Sequence, residues 1–124
     1  MSTRSHIGVE NPDGTIDWVY CHYDGYPTGV GAELFEGLPT KEAARDWLAE
    51  GDRATFQESF VERKGELLVP PRTAAGRKDF ESNRGWADYL YLMTRDEVWW
   101  VANGHNVWRD LKEVLGRPKD HEGW

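Results

Sequence analysis

The stretch IGVENPDGTIDWVY, residues 7–20, decides how the chain begins to fold. Two β-rich runs flank the turn Asn11-Pro12-Asp13-Gly14. Proline presets φ, aspartate accepts hydrogen bonds from the nearby backbone, and glycine supplies a positive φ. The stretch therefore predicts an antiparallel β-hairpin. Because side chains alternate along a strand, Trp18, Tyr20 and His22 should share one face of the second strand. The other face is also partly apolar, so we expect this strand to lie inside the sheet.

A second hairpin is predicted from residues 86–93 and 97–102, which alternate on either side of a short polar turn. Apolar residues at helical spacing predict a helix over residues 41–50, capped by Thr40, and another that begins at Asn106. These patterns predict an α+β fold: an antiparallel sheet of two hairpins, with four to five strands, packed with two or three helices on one face.

The length of 124 residues predicts a single domain, residues 1–124, in which residues 117–124 form a mobile polar tail. No apolar run approaches the length of a membrane span, and the first residues lack the apolar region of a signal peptide. We therefore expect a cytoplasmic protein with no membrane partner.

The net charge is −7, from 15 basic and 22 acidic residues. This balance argues against direct nucleic-acid binding, which needs a basic footprint. The acidic residues serve either ordinary solubility or the mimicry of nucleic acid, and their scattered positions favour solubility. Seven tryptophans are many for so short a chain, which suits a binding surface or a homo-oligomer interface.

The chemistry that the sequence offers is limited. Cys21 is the only cysteine, so no disulfide framework is expected, and the sequence predicts no metal and no cofactor. His22 and Asp24 would share a face if the strand continued, where they could act as a base and its orienting group. Structural roles in the turn are the main alternative for this pair, ahead of ligand binding, and catalysis or metal binding comes last. Cys21 lies on the opposite face from His22, which argues against a nucleophilic pair.

The main candidate site is YCHYDGYP, residues 20–27, where tyrosine rings could stack on a ligand and polar groups could meet hydroxyls. The glycines around it could expose amides to an anion, although a tight glycine turn is the main alternative. Arg109 is predicted at the third position of the last helix, where it could hold a phosphate or instead pair with neighbouring acids. Trp100 could stack on a base or belong to the core. The predicted ligand-binding residues are Arg4, Tyr20, His22, Tyr23, Asp24, Gly25, Tyr26, Trp100 and Arg109.

VYCHYDGYP at residues 19–27, with Asp13-Gly14-Thr15 before it and Val30-Gly31 after it, resembles a family of small phage and prophage proteins. That family carries a YCH(W/Y)DGYP…VG signature, in which Tyr23 here replaces the usual tryptophan. The resemblance extends over most of the chain, but only the first third carries specific motifs. It implies a counter-defence role in an infected bacterial host. In size and layout the chain is similar to the phage anti-Thoeris sponges that sequester cyclic ADP-ribose signals.

The leading hypothesis is a homo-oligomeric phage protein that binds and sequesters a nucleotide-derived immune signal, cyclic ADP-ribose-like or a cyclic nucleotide, without cleaving it. A second is an acidic inhibitor of a host defence protein, such as an anti-CRISPR or a nucleic-acid mimic. A third is a small hydrolase that uses His22 and Asp24. The balance of these arguments favours a protein that is not an enzyme.

Overall fold

The structure is a computed structural model that describes residues 3–60 and 68–116. Across these residues the chain forms a six-stranded mixed sheet with the strand order β3-β2-β1-β4-β5-β6. The strands are β1 (Ser5–Glu10), β2 (Ile16–Cys21), β3 (Arg72–Ala74), β4 (Tyr89–Met93), β5 (Trp99–Ala102) and β6 (Trp108–Asp110). The predicted α+β class is confirmed, with one strand more than the predicted maximum.

Helices lie on both faces of the sheet, and a π-helical turn, Pro27–Gly31, leads into the first of them. The described helices are α1 (Ala32–Gly37), α2 (Lys41–Leu48), α3 (Arg77–Ser82) and α4 (Leu111–Leu115). The predicted cap of α2 is confirmed, because the Thr40 side chain accepts a hydrogen bond from the Ala43 amide at 3.2 Å. None of the described helices has the length and apolar character needed to cross a membrane.

Both predicted hairpins are present. β1 pairs with β2, and β4 pairs with β5, each in antiparallel register. The two hairpins are joined by β1 and β4, which run parallel, with Ser5 opposite Tyr89. The sheet is therefore mixed, and the prediction of a purely antiparallel sheet is wrong. β2 lies between β1 and β3, as its two apolar faces indicated.

The larger core lies on the face of the sheet that carries Ile7, Val19 and Val101, which we call the first face. The side chains of α1, α2 and α4 cover it, and Cys21 is buried there. The opposite, second face carries a smaller cluster that includes Trp18, Leu90, Leu92 and Phe80, and α3 covers it through Phe80. The expectation of helices on one face only is therefore wrong.

The segment after Asn106 differs from the predicted helix. Asn106 has a φ of 58° and belongs to a turn, and β6 then pairs with β5 before the chain turns into α4. The cap of that helix is Asp110, whose carboxylate accepts a hydrogen bond from the Lys112 amide at 2.9 Å. Residues Trp108–Asp110, which the local periodicity predicted to be helical, instead form β6 by pairing with β5. The predicted mobile tail, residues 117–124, lies outside the described residues.

Phe80→Ala should lower the free energy of unfolding by about 3–5 kcal/mol, because Phe80 is fully buried and its ring links α3 to the second face. Urea unfolding at constant pH measures the change. Phe35→Ala is the matched control, since Phe35 is partly exposed on α1 and its loss should cost less than about 1 kcal/mol. Equal effects of the two substitutions would contradict the assignment of Phe80 to the core.

Candidate ligand-binding cleft

An open cleft of about 560 Å³ lies on the second face, at the end of the sheet where β1 and β4 begin. Its volume falls within the range of small-molecule sites. Because α3 has only six residues, it leaves this end of the face uncovered. The lining residues are Arg4, His6, Trp18, Tyr20, Asp52, Arg72, Gly85 and Trp86.

The strand pairing explains why these distant residues meet. β1 and β4 are parallel, so the residues that precede both strands lie at the same edge of the sheet. The Arg4 amide donates to the Asp88 carboxylate at 3.0 Å, and the Asp88 amide donates to the Arg4 carbonyl at 2.8 Å. β2 runs antiparallel to β1 and places Tyr20 opposite His6. The first hairpin thus supplies His6, Trp18 and Tyr20, and the turn before β4 supplies Gly85 and Trp86.

Aromatic rings form the floor of the cleft. The imidazole of His6 stacks on Trp18 with ring centroids 4.4 Å apart, and Tyr20 meets His6 edge-on at 5.9 Å. The Arg72 guanidinium lies 4.8 Å from the centroid of the Trp18 ring. His6 and Arg72 both pack against the Trp18 indole. The floor therefore presents packed rings with a cation at one side.

A bidentate ion pair holds that cation in place. Both terminal nitrogens of Arg72 donate to the two Asp52 oxygens, each at 2.7 Å. Asp52 is buried and also accepts a hydrogen bond from the Tyr20 amide at 2.9 Å. Hydrogen bonding to Asp52 raises the pKa of the Arg72 guanidinium. The pair fixes the position of Arg72, whose side chain remains partly exposed.

His6 is a neutral imidazole at pH 7. Burial, with a smaller contribution from the positive charge of Arg72, lowers the pKa of His6 to about 4. Its Nδ1 atom is buried and makes no hydrogen bond within the part of the chain that the structure describes. Among the described lining residues, two arginines, Arg4 and Arg72, outnumber one carboxylate, Asp52, in a chain whose net charge is −7.

Two of the nine predicted ligand residues, Arg4 and Tyr20, line this cleft. The Tyr20 hydroxyl hydrogen-bonds the His22 ring, with 2.5 Å between the hydroxyl oxygen and Nδ1 of His22. The His22 ring in turn meets Tyr23 edge-on, with centroids 4.5 Å apart. His22 and Tyr23 are therefore linked to the cleft through Tyr20, although neither lines it.

Asp24, Gly25 and Tyr26 form a shaped turn beside the sheet. The strand ends at Cys21 and Asp24 has a φ of 59°, so the alternation that would align His22 with Asp24 stops before it. The Gly25 carbonyl accepts a hydrogen bond from the buried Tyr91 hydroxyl at 2.6 Å, and its amide donates to the Thr3 carbonyl at 2.9 Å. A Cβ atom at Gly25 would lie 2.8 Å from that carbonyl. The glycine is thus required by close backbone packing.

Trp100 and Arg109 lie away from the cleft lining. Trp100 is on the second face of β5, opposite Leu92 and Asp110. Arg109 lies in the middle of β6 opposite Val101, so its predicted place at the third position of a helix is wrong. The physical reason is that β6 extends the sheet before α4 begins.

Six of the eight lining residues were absent from the predicted set: His6, Trp18, Asp52, Gly85, Trp86 and Arg72. The register of the first hairpin already placed His6 and Trp18 on one face with Tyr20, so an alternation argument could have found them. Asp52, Arg72, Gly85 and Trp86 come from segments far from the first hairpin in sequence, and no local sequence pattern predicts that they line the same cleft. Within residues 3–60 and 68–116, no group of three or more His, Cys, Asp or Glu side chains is arranged to hold a metal ion.

No protein-family model, curated protein or solved structure matches the chain. The resemblance to the phage family with the YCH(W/Y)DGYP signature therefore stays a prediction, and the site must be judged from its own geometry.

The stability of the fold should decrease as the pH falls from 6.5 towards 4. The unfolded chain takes up a proton on His6 over this range while the folded protein does not, so acid favours unfolding. Between pH 7 and pH 5 the contribution of His6 is about 2 kcal/mol. Urea unfolding of wild type and His6→Gln at both pH values checks this. The wild type should lose more stability than the variant, and equal losses would contradict a depressed His6 pKa.

Cys21 should not react with a thiol reagent in the native protein. Its side chain has no exposed surface, and burial raises the pKa of its thiol to about 12. A disulfide-exchange reagent should titrate one thiol in denaturant and none over the same period without it. Rapid native reaction would restore Cys21 as a candidate nucleophile.

Proposed function

We propose that the protein binds a small nucleotide-derived anion in the second-face cleft and sequesters it without cleaving it. One observation carries this proposal: two arginines and a cluster of aromatic rings converge on one open cleft in an otherwise acidic chain. A nucleotide offers the matching chemistry, since it joins phosphate oxygens to a planar ring. The resemblance to small phage proteins supports a counter-defence setting inside an infected bacterium, with a cyclic ADP-ribose-like signal or a cyclic nucleotide as the ligand.

The cationic side of the cleft is built for phosphate recognition. Arginine presents planar, fixed donors that suit phosphate oxygens. Asp52 holds Arg72 in place before any ligand arrives, so little side-chain entropy is lost on binding. Arg4 is tied to the same region through its backbone bonds with Asp88.

The same groups suit binding better than proton transfer. An effective general base at neutral pH has a pKa near 7, whereas the pKa of His6 is about 4. The Asp52 carboxylate is engaged by Arg72 and by the Tyr20 amide. Cys21 is buried on the opposite face. A hydrolase that uses His22 and Asp24 has little support, because the strand that would align them ends at Cys21.

Native mass spectrometry tests the proposal directly. The protein is purified from cells that express an enzyme making cyclic ADP-ribose signals, and its mass is compared with protein from cells lacking that enzyme. We expect an added mass equal to the intact ligand, an assembly larger than a monomer, and release of the intact ligand on denaturation. Recovery of a hydrolysed ligand would contradict sequestration, and the absence of any added mass would contradict this class of ligand.

Arg4→Gln should weaken nucleotide binding by about tenfold or more, because it removes a charged hydrogen-bond donor from the cleft. The backbone bonds between Arg4 and Asp88 do not depend on this side chain, so the fold should persist. Isothermal titration calorimetry with ADP-ribose measures the affinity at fixed salt. Lys112→Gln is the control, because it removes one positive charge from the exposed surface of α4. Equal affinities for both variants would exclude Arg4 from the site.

A further inference from the structure

Trp86 is exposed to a degree that its role in the fold does not explain. The residue is 85% exposed, whereas the next most exposed large apolar residue described, Leu68, is 53% exposed. An indole left in water gives up the favourable burial that such a large apolar ring normally provides. Trp86 is also at the rim of the cleft. Its position is therefore better explained by recognition than by packing.

The turn that carries Trp86 is held firmly. The Ala87 amide donates to the Arg84 carbonyl at 2.9 Å, which closes a tight turn in which Gly85 has a φ of 54°. The Arg84 guanidinium donates to the Ala87 carbonyl at 3.0 Å and to the Asn103 carbonyl at 2.6 Å. Burial lowers the pKa of the Arg84 guanidinium. Arg84 is thus an anchor for the turn.

The turn that carries Trp86 is connected to Arg4 through hydrogen bonds of Asp88. Asp88 follows the turn directly, and it exchanges two hydrogen bonds with the backbone of Arg4. The backbone that carries Trp86 is therefore held beside the arginine side of the cleft.

The other rings of the lining are already engaged. His6 and Arg72 both pack against the Trp18 ring, and Tyr20 lies parallel to Phe60 with centroids 6.4 Å apart. Trp86 makes no ring contact among the residues that the structure describes. Among the described lining residues, Trp86 therefore has the ring face that is exposed for stacking on a ligand.

We infer that Trp86 stacks on the base of a nucleoside phosphate whose phosphate group meets Arg4 and Arg72. This inference rests on the proposed function and specifies its ligand: one nucleotide unit, in which ring and anion are both required. A nucleoside without phosphate can stack on Trp86 but cannot bind the arginines. A sugar phosphate without base can bind the arginines but cannot stack. Stacking on an aromatic side chain tolerates different bases, so discrimination comes from the pairing of ring with anion.

Calorimetry with three probes tests the inference: adenosine 5′-monophosphate, adenosine and ribose 5-phosphate, each against the full chain. The wild type should bind the monophosphate at least tenfold more tightly than either half. Trp86→Ala should weaken binding of the monophosphate about tenfold, to the level of ribose 5-phosphate, and Trp86→Phe should recover most of the loss. Phe35→Ala, which removes a partly exposed ring from α1, is the control and should bind as the wild type does.

Proton NMR of the bound monophosphate supplies a second measurement. The base protons should shift upfield in the wild type, because they lie over an indole face, and the shift should vanish in Trp86→Ala. The thermal midpoint of Trp86→Ala should equal that of the wild type, since the ring is exposed.

The outcomes separate the inference from the proposed function. If Trp86→Ala binds the monophosphate as tightly as the wild type does, the stacking role is overturned while nucleotide binding stands. If the wild type binds adenosine or ribose 5-phosphate as tightly as the monophosphate, the requirement for both parts is overturned. If the wild type binds none of the probes and no cyclic ADP-ribose signal, both the inference and the proposed function fail.

Discussion

The parallel pairing of β1 with β4 is the constraint on which the rest of the structure depends. Each hairpin alone is a local, antiparallel unit, and this one pairing converts the two hairpins into a single sheet. Because parallel strands begin at the same edge, it also brings the residues before β1 next to those before β4. The hydrogen bonds between Arg4 and Asp88 join these two segments directly. The cleft exists where the two hairpins meet.

A second consequence is electrostatic. A chain with a net charge of −7 would repel an anionic ligand over most of its surface, so binding requires a local reversal of sign. Two arginines supply positive charge to the cleft lining. The one carboxylate among the described lining residues, Asp52, positions Arg72 through two hydrogen bonds. Burial, with smaller contributions from the charges of Arg72 and Arg84, lowers the pKa of His6 and keeps the imidazole neutral at pH 7. The proposed anion site therefore combines arginine side chains with aromatic rings beside them.

Local pattern predicted much of the fold. The hairpin at residues 7–20, the interior position of β2 and the Thr40 cap all follow from short-range rules of turn chemistry, alternation and capping. The same rules misplaced Arg109, because the pairing of β6 with β5 outweighs helical periodicity. They also directed attention to residues 20–27, of which Tyr20 alone lines the cleft. Arg72 and Trp86 reach the site through pairings between segments far apart in sequence, which no local window contains.

The central claim is that the second-face cleft, rather than the turn at residues 23–27, receives the ligand. Titration of isotope-labelled protein with ADP-ribose, followed by amide and indole NMR signals, tests it most directly. The account predicts that the indole signal of Trp86 and the amide signals of Arg4 and His6 move together with one affinity. Shifts confined to Asp24, Gly25 and their neighbours in that turn would contradict it.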